Sequence, residues 1–354
     1  MRARIGLATA PALLATGAIL LSVLAAGQAG AVSNGVQAGS FMLIGSGARA
    51  PAMGEAFTGL ADDVSASWWN PAGLIQLPAL QASLSYSAWF AETSYSVVSI
   101  GGPLADDHVL AATIYYFHVP PIANVPSSVE PSVDMSNYAA GLAYSYGLSR
   151  KISLGAGLKM MSQDIEQAGR TGTSASGALI DLAILYRHGA PDIQVGLALQ
   201  NMGPKMEFRD ARSPAPFWGR LGLSYRIYRD DWLNVLATAD VAQPVDTGYR
   251  LVIPEGGISK IFRTSLKGSK QNRYNWGFGT EWWLADMLAL RAGWTSRVGS
   301  DIDSPSAGAG LKFTIEPFIY ALDYSYSFWG DLSSNISRVS FTLSLAPKPH
   351  EPED

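Results

Sequence analysis

The sequence has no cysteine among its 354 residues, which excludes disulfides, Cys-ligated zinc, thiol catalysis and a lipid-bearing cysteine at a signal cleavage site. The same absence suits a chain that passes through an oxidising compartment. Charge is scarce too: Asp, Glu, Lys and Arg make up 15% of the chain, the net charge is −4, and no block of Lys or Arg marks a surface for nucleic acid or anionic lipid. The histidines His108, His118, His188 and His350 are scattered, with no second ligand at metal spacing. There is no G-x-S-x-G, H-E-x-x-H or P-loop. Asp301 and Asp303 lack the Gly and the terminal Glu of a calcium loop, and the triplet Asn335-Ile336-Ser337 reads as loop. No catalytic, cofactor-binding or metal site is therefore expected.

Long apolar runs are nearly missing as well. One occurs, Ile5 to Leu24, preceded by Arg2 and Arg4 and followed by Ala29-Gly30-Ala31, which has the form of an A-x-A cleavage site. Residues 1–31 are expected to be an export signal. A retained transmembrane helix is the rival, because the run is of borderline length. Small residues crowd its end and no stop-transfer charges follow, which favours removal. No second run of helix-spanning length follows, so any membrane crossing must use strands.

What the chain does have is hydrophobic content of 48%, with 36 Gly and 15 Tyr, a composition that serves a large core or a lipid-facing surface equally. From residue 79 to 345 it alternates with period two. Leu80, Ala82, Leu84, Tyr86 and Ala88 share one face, and Gln81, Ser83, Ser85 and Ser87 the other. The pattern returns in Leu154 to Met160, Ile180 to Tyr186, Leu221 to Ile227, Leu288 to Trp294, Ala309 to Ile315, Phe318 to Phe328 and Val339 to Leu345. Segments of about ten residues with one apolar face are the signature of a transmembrane barrel.

Mid-strand charges weigh a barrel in lipid against a soluble sandwich. Lys159, Asp181, Arg226, Asp240, Glu281, Arg291, Lys312 and Asp323 all lie opposite the large apolar side chains. A cation on the lipid face at mid-membrane costs about 2–4 kcal/mol, whereas a wet lumen tolerates both signs. A sandwich also segregates charge. The aromatic apolar face, the export signal and small residues on the inner phase (Gly155, Gly157, Gly196, Ala198, Gly277, Gly279, Gly308, Gly310) favour the barrel. Short turns such as Arg229-Asp230-Asp231 and Glu316-Pro317 alternate with longer connections at 119–134, 163–173, 203–216, 243–271 and 297–306. The expected fold is all-β, a transmembrane barrel of about fourteen antiparallel strands. Glu281 and Arg291 should face each other across a hairpin, and Lys159 and Asp181 across adjacent strands. With Lys312 and Asp323 they read as a lumen charge network that braces the barrel or holds what lies inside it.

Residues 32–78 fit neither pattern. Gly45, Gly47, Gly54 and Gly59 allow tight backbone approach, and Asn70-Pro71-Ala72-Gly73 is a turn with φ fixed at Pro71. Ala56, Phe57, Leu60 and Ala61 suggest a short helical face, and Ser65 or Asp63 the cap of a helical turn over Ala66 to Trp69. Chemistry alone leaves two readings, a surface loop region and a buried plug.

The run GARAPAMGEAFTGLADDVSASWWNPAGL resembles the N-terminal signature of the PorV/PorQ family of outer-membrane proteins, related to the FadL-like superfamily of hatch-containing barrels. GTEWWLADMLALRAGW and the final strands from Gly308 to Leu345 are similar to that family's closing hairpins. The resemblance implies a hatch in the barrel lumen, carried here by Gly47, Arg49, Met53, Gly54, Asp62, Asp63, Asn70, Pro71, Ala72 and Gly73. It departs from the family in a longer connection at 248–271 and in the charged tail, residues 346–354. It further implies an outer-membrane platform that receives secreted cargo of a type IX system, with outer-membrane lipid and secretion or surface-attachment proteins as partners. The alternative is a FadL-like channel for hydrophobic small molecules. An outer-membrane enzyme is the third class, with His118 its one candidate. Nucleic acid is not an expected partner.

Overall fold

The computed structural model describes residues 38–89, 92–121, 133–167, 170–190, 192–208, 211–245, 274–297, 302–329 and 334–346. The expected signal at 1–31, the connection at 248–271 and the tail beyond Ala346 lie outside these residues. The strands are β1 (Gln81–Ala88), β2 (Ser94–Ala105), β3 (His108–Val119), β4 (Val133–Gly147), β5 (Ile152–Gln167), β6 (Arg170–Gly189), β7 (Asp192–Met202), β8 (Met206–Phe208), β9 (Ala211–Ser213), β10 (Trp218–Arg229), β11 (Leu233–Pro244), β12 (Asn275–Leu284), β13 (Leu288–Arg297), β14 (Ile302–Ile315), β15 (Phe318–Trp329) and β16 (Ser334–Leu345).

All but β8 and β9 join one closed antiparallel barrel of fourteen strands. The seam pairs β1 with β16, from Gln81 opposite Ser344 to Ala88 opposite Ser337. Closure matters in lipid, where an unpaired amide or carbonyl at an open edge has no water to bond. The alternation sets the two faces: Leu84 is 54% exposed and its neighbour Ser85 5%. Phe278, Trp282, Leu290, Trp294, Leu311 and Phe341 stand outward, while Lys159, Asp181, Glu281 and Arg291 are buried on the inner side. That is a wall built to face acyl chains.

Short turns join β2 to β3, β4 to β5, β6 to β7, β10 to β11, β12 to β13 and β14 to β15, and all lie at the barrel end where β1 begins and β16 stops. Two connections expected to be long carry strand in their described residues. β5 and β6 pair well beyond the apolar belt, with Gln163 opposite Ala175 and Ile165 opposite Thr173, and β14 pairs Asp303 with Ser296. Ser, Thr, Gln and Asp predominate in these extensions, so the alternation that reveals a strand in lipid fades there. Asn335-Ile336-Ser337 likewise lies in β16 and not in a loop. Between β7 and β10, β8 and β9 form a small hairpin whose Met206 is buried against Gly177 of β6.

Residues 38–77 pack against the inner face of this wall. The Gly39 amide donates to Gln163 Oε1 near the long-loop end of β5 (3.2 Å), and the Leu80 carbonyl accepts from the Leu345 amide at the short-turn end (2.9 Å). The path thus runs the length of the bore. Helical turns occur at Ser40–Leu43, Arg49–Ala52, Ala66–Trp69 and Pro71–Gln76. The short helix expected around Ala56 to Ala61 is absent; Gly54 and Gly59 interrupt it, and the Phe57 and Thr58 amides are taken by Asp240 of β11 (3.1 and 2.8 Å). At the next turn Ser65 is the N-cap and makes no side-chain cap bond, while Asp63 Oδ1 accepts from the Ser65 amide at 2.9 Å just ahead of the helix. Trp68 and Trp69 are fully buried in a T-shaped pair 4.4 Å apart, each indole donating to a segment carbonyl, Met42 and Ser46.

Candidate functional site

The site is the contact between this segment and the wall, and its firmest point is the Asn70 turn. Pro71 opens a helical turn, where a missing amide hydrogen costs nothing. Asn70 Oδ1 accepts from the Ala72 amide (3.1 Å), and its Nδ2 donates to the Thr58 carbonyl (2.8 Å). The Ala72 carbonyl accepts from Ser145 of β4 (3.0 Å) and Ser153 of β5 (2.9 Å). The Asn70 amide group and the Ala72 carbonyl thus find protein partners on the segment and the wall. Gly73 lies so near Ala61 that a Cβ would overlap its carbonyl, and Gly155 lies equally near the Ala72 amide.

Glycine on the inner wall repeats this function around the barrel. A Cβ at Gly196 or Gly222 would strike Thr58 or Gly59; at Gly277, Gly279 or Gly293 it would strike Met53 or Gly54. Gly308 would meet Ala52. Gly157 and Gly310 leave room for ion pairs instead, facing Asp181 and the Asp323–Arg291 pair. Gly47 and Gly54 take positive φ, 80° and 64°, which suits glycine.

Arg49 links segment to wall by charge. Its Nη1 donates to Asp62 (2.6 Å) and Asp63 (3.3 Å), and its Nε and Nη2 grip Glu281 of β12 (2.8 Å each). Glu281 also accepts from Arg291 of β13 (2.7 Å), which reaches Asp323 of β15 (2.6 Å). Bidentate geometry of this kind makes strong pairs. Burial would lower the Arg49 pKa, but Asp62, Glu281 and Asp63 hold it well above its usual value. Burial raises the Asp62 carboxyl above the ordinary range; Arg49 opposes that shift and Asp63 adds to it.

Lys159 and Asp181 stand apart from that chain. They pair at 2.6 Å, and Asn201 of β7 closes a triangle, accepting from Lys159 (3.0 Å) and donating its amide to Asp181 (2.7 Å). This group ties β5, β6 and β7 to one another. Lys312 joins neither group; its ammonium lies over Trp283, 4.7 Å from the ring centre.

Two sets of residues in this region escape a reading by alternation. The first is an apolar lining on the inner face near the long-loop end: Tyr95 of β2, Tyr115 and Phe117 of β3, Met161 of β5 and Leu179 of β6, joined by Phe41 of the segment and Met206. Phe41 stacks on Phe117 at 6.3 Å. The sequence signal is a local loss of alternation, as in TIYYFHV, where both faces are apolar. The second set is Glu55 with Arg220, Arg297 and Arg338. Glu55 pairs with Arg297 at 3.1 Å. Arg220 donates to Gln200 (2.9 Å) and lies 5.0 Å over both Trp68 and Trp69.

His118 Nδ1 lies 3.5 Å from Ser136 Oγ and 3.6 Å from Asp134. Both contacts fall on one ring nitrogen, so the set has no relay from acid through imidazole to hydroxyl. Among the described residues no group of three His, Cys, Asp or Glu is placed to hold a metal ion.

No family model matches the sequence, and no curated protein matches it. Solved structures do. The toluene transporter TbuX of Ralstonia pickettii is 15% identical, with 86% of this chain and 98% of that chain covered at a TM-score of 0.57. The Pseudomonas putida toluene transporter TodX is 13% identical, with 86% and 98% covered at 0.59. A Pseudomonas aeruginosa FadL homologue is 11% identical, with 85% and 98% covered at 0.54. The chain shares the fold of these barrels. The FadL-type fold accounts for the closed wall of fourteen strands; the side chains within it are this chain's own.

Proposed function

We propose that this protein is an outer-membrane conduit for hydrophobic small molecules. The carrying observation is the apolar lining inside the barrel, Tyr95, Tyr115, Phe117, Met161, Leu179 and Met206, where a water-filled pore would have a polar wall. Thioether and aromatic side chains adapt to ligands of varied shape. The structural neighbours described as toluene transporters favour the same reading. In it, residues 1–31 are the removed export signal, 32–78 the hatch and 79–345 the wall. The secretion-platform reading keeps the resemblance to PorV/PorQ proteins, but its proposed contact loop, 248–271, lies outside the described residues.

Reconstituted vesicles test the proposal. Uptake of labelled toluene should exceed that of empty vesicles, and Phe117→Asp should cut it by at least about tenfold, since a buried unpaired charge repels an apolar ligand. Uptake equal to that of empty vesicles would remove the reading. Deleting 248–271 should leave the flux intact.

A further inference from the structure

The apolar lining around Phe117 of β3 is flanked on both sides by buried polar atoms that no protein group answers. The ladders set the row: Tyr95 of β2 stands opposite Phe117, and Phe117 opposite Asn137 of β4, so all three share the inner face. Neighbouring strands lie about 4.8 Å apart, which places Tyr95 and Asn137 about 10 Å from each other at the backbone, with Phe117 between them. Tyr95 is 1% exposed and Asn137 0%, and among the described residues neither the Tyr95 hydroxyl nor Asn137 Oδ1 has a hydrogen-bond partner. The other end of the Asn137 amide is engaged, its Nδ2 donating to the Phe117 carbonyl at 3.3 Å. A carbonyl takes only a donor, so the amide is fixed in that sense and its idle atom is an acceptor.

Burying a polar atom without a partner costs free energy, so two of them beside one aromatic side chain call for an explanation. Phe41 of the segment supplies a ring there but no hydrogen bond. It stacks on Phe117 with 6.3 Å between centres and 17° between planes, while the Tyr95 ring meets Phe117 edge-on at 6.2 Å. The turn that carries it, Ser40–Leu43, has no side-chain cap bond at its start. An idle carbonyl oxygen requires a donor, and an idle phenolic hydroxyl can donate or accept. One hydroxyl on a ligand ring answers both; a plain hydrocarbon answers neither, and a carboxylate would set its lone pairs against Asn137 Oδ1. Arg338 lies further along the same row, past Ser87, and its Nε and Nη1 are also without partners. Tyr95 and Ser87 separate it from Phe117, which makes an anion the rival ligand for the test to exclude.

We propose that Tyr95 and Asn137 recognise a neutral hydroxyl carried on an aromatic ring, and that the ligand ring takes the place on Phe117 held in this structure by Phe41. The ligand class is a phenol. The inference rests on the conduit reading and narrows its substrates from hydrocarbons at large to hydroxylated aromatics. Phe117 then supplies the stacking surface, and the two polar side chains beside it supply the discrimination, since a site built to bond a hydroxyl rejects the analogue that lacks it.

The experiment is calorimetric titration of the barrel in lipid nanodiscs, with empty nanodiscs as the reference, using p-cresol, p-xylene and p-toluate. p-Cresol and p-xylene differ only by a hydroxyl in place of a methyl, so the ratio of their affinities reads the polar site. The ratio should favour p-cresol by about three- to tenfold. Tyr95→Phe combined with Asn137→Leu should bring the ratio to unity, and each change alone should bring it part of the way; unchanged circular dichroism certifies that the variants are folded. Phe41→Ala, which clears the ring's place, should tighten p-cresol binding several-fold. Tyr95→Phe alone should not lower the thermal midpoint, because the hydroxyl it deletes has no bond to lose. A wild-type ratio of unity, a preference that survives the double change, weaker p-cresol binding in Phe41→Ala, or a lowered midpoint in Tyr95→Phe each overturns the site. Tighter binding of p-toluate than of p-cresol, lost in Arg338→Gln, overturns it in favour of an anion. Toluene flux with a ratio of unity would leave the conduit standing without the hydroxyl site, and a p-cresol preference without toluene flux would do the reverse.

Discussion

Arg49 is held by Asp62, Asp63 and Glu281, so its loss strands carboxylates that burial already disfavours. Breaking a buried pair from one side commonly costs about 3–5 kcal/mol. The partial exposure of Arg49 (16%) and Asp62 (28%) moves the expectation for Arg49→Gln to the lower end, about 3 kcal/mol, read from urea unfolding in detergent. Glu55 gives a pH dependence with a definite sign. Its folded pKa is below the ordinary 4.5, so its contribution to stability is complete above that value and is lost as pH falls through the lowered one. Asp62, whose pKa is raised, works in the opposite direction, gaining relief on protonation. Acid should therefore lower the thermal midpoint of the wild type more than that of Glu55→Gln, and equal slopes would refute the assignment. At this scale the sequence was partly legible. Glu281 and Arg291 could be paired by counting back from a turn, and they do face each other. Arg49 could be named but not its wall partner, 232 positions away. Glu55 gave no signal, because its partner Arg297 lies 242 positions away in the chain.

Among the elements, the wall glycines make segment and barrel one packed unit. Gly155, Gly196, Gly277, Gly279 and Gly293 come from four strands and meet segment backbone, so a single side chain at any of them must push the segment inward. Gly293→Val is expected to leave the barrel closed but to expose residues 49–57, seen as new cleavage there by limited proteolysis while the strands stay protected. The element boundaries read best where the environment is two-sided. Between lipid and lumen, alternation located β10 and β13 closely and the second half of β14. Beyond the belt Ser, Thr, Gln and Asp predominate in β5 and β6, and the ladder that carries Gln163 and Thr173 looked like loop. The segment was legible in part: the helical turn over Ala66 to Trp69 lies where its residues placed it, whereas the stretch from Ala56 to Ala61 is held by Asp240 and forms no helix.

For the molecule as a whole, the outward belt and the inward charges make one testable asymmetry. Leu311→Arg on the outer face should destabilise by about 2–4 kcal/mol in lipid vesicles, measured by unfolding. Thr342→Arg, one residue off that phase and pairing with Ser83, should cost much less, and a similar loss at both would contradict the assigned faces. The count of fourteen strands was available from sequence because each crossing repeats the same pattern.

The route of residues 38–80 along the bore bears on how the molecule is made. A stretch gripped by backbone from several strands would have to break those contacts to be drawn through a finished cylinder, so β16 is expected to zip onto β1 after the stretch has been laid in place. The amino-terminal stretch then serves as the mandrel on which the barrel is rolled, and slowing its collapse should delay closure of the seam by the same interval.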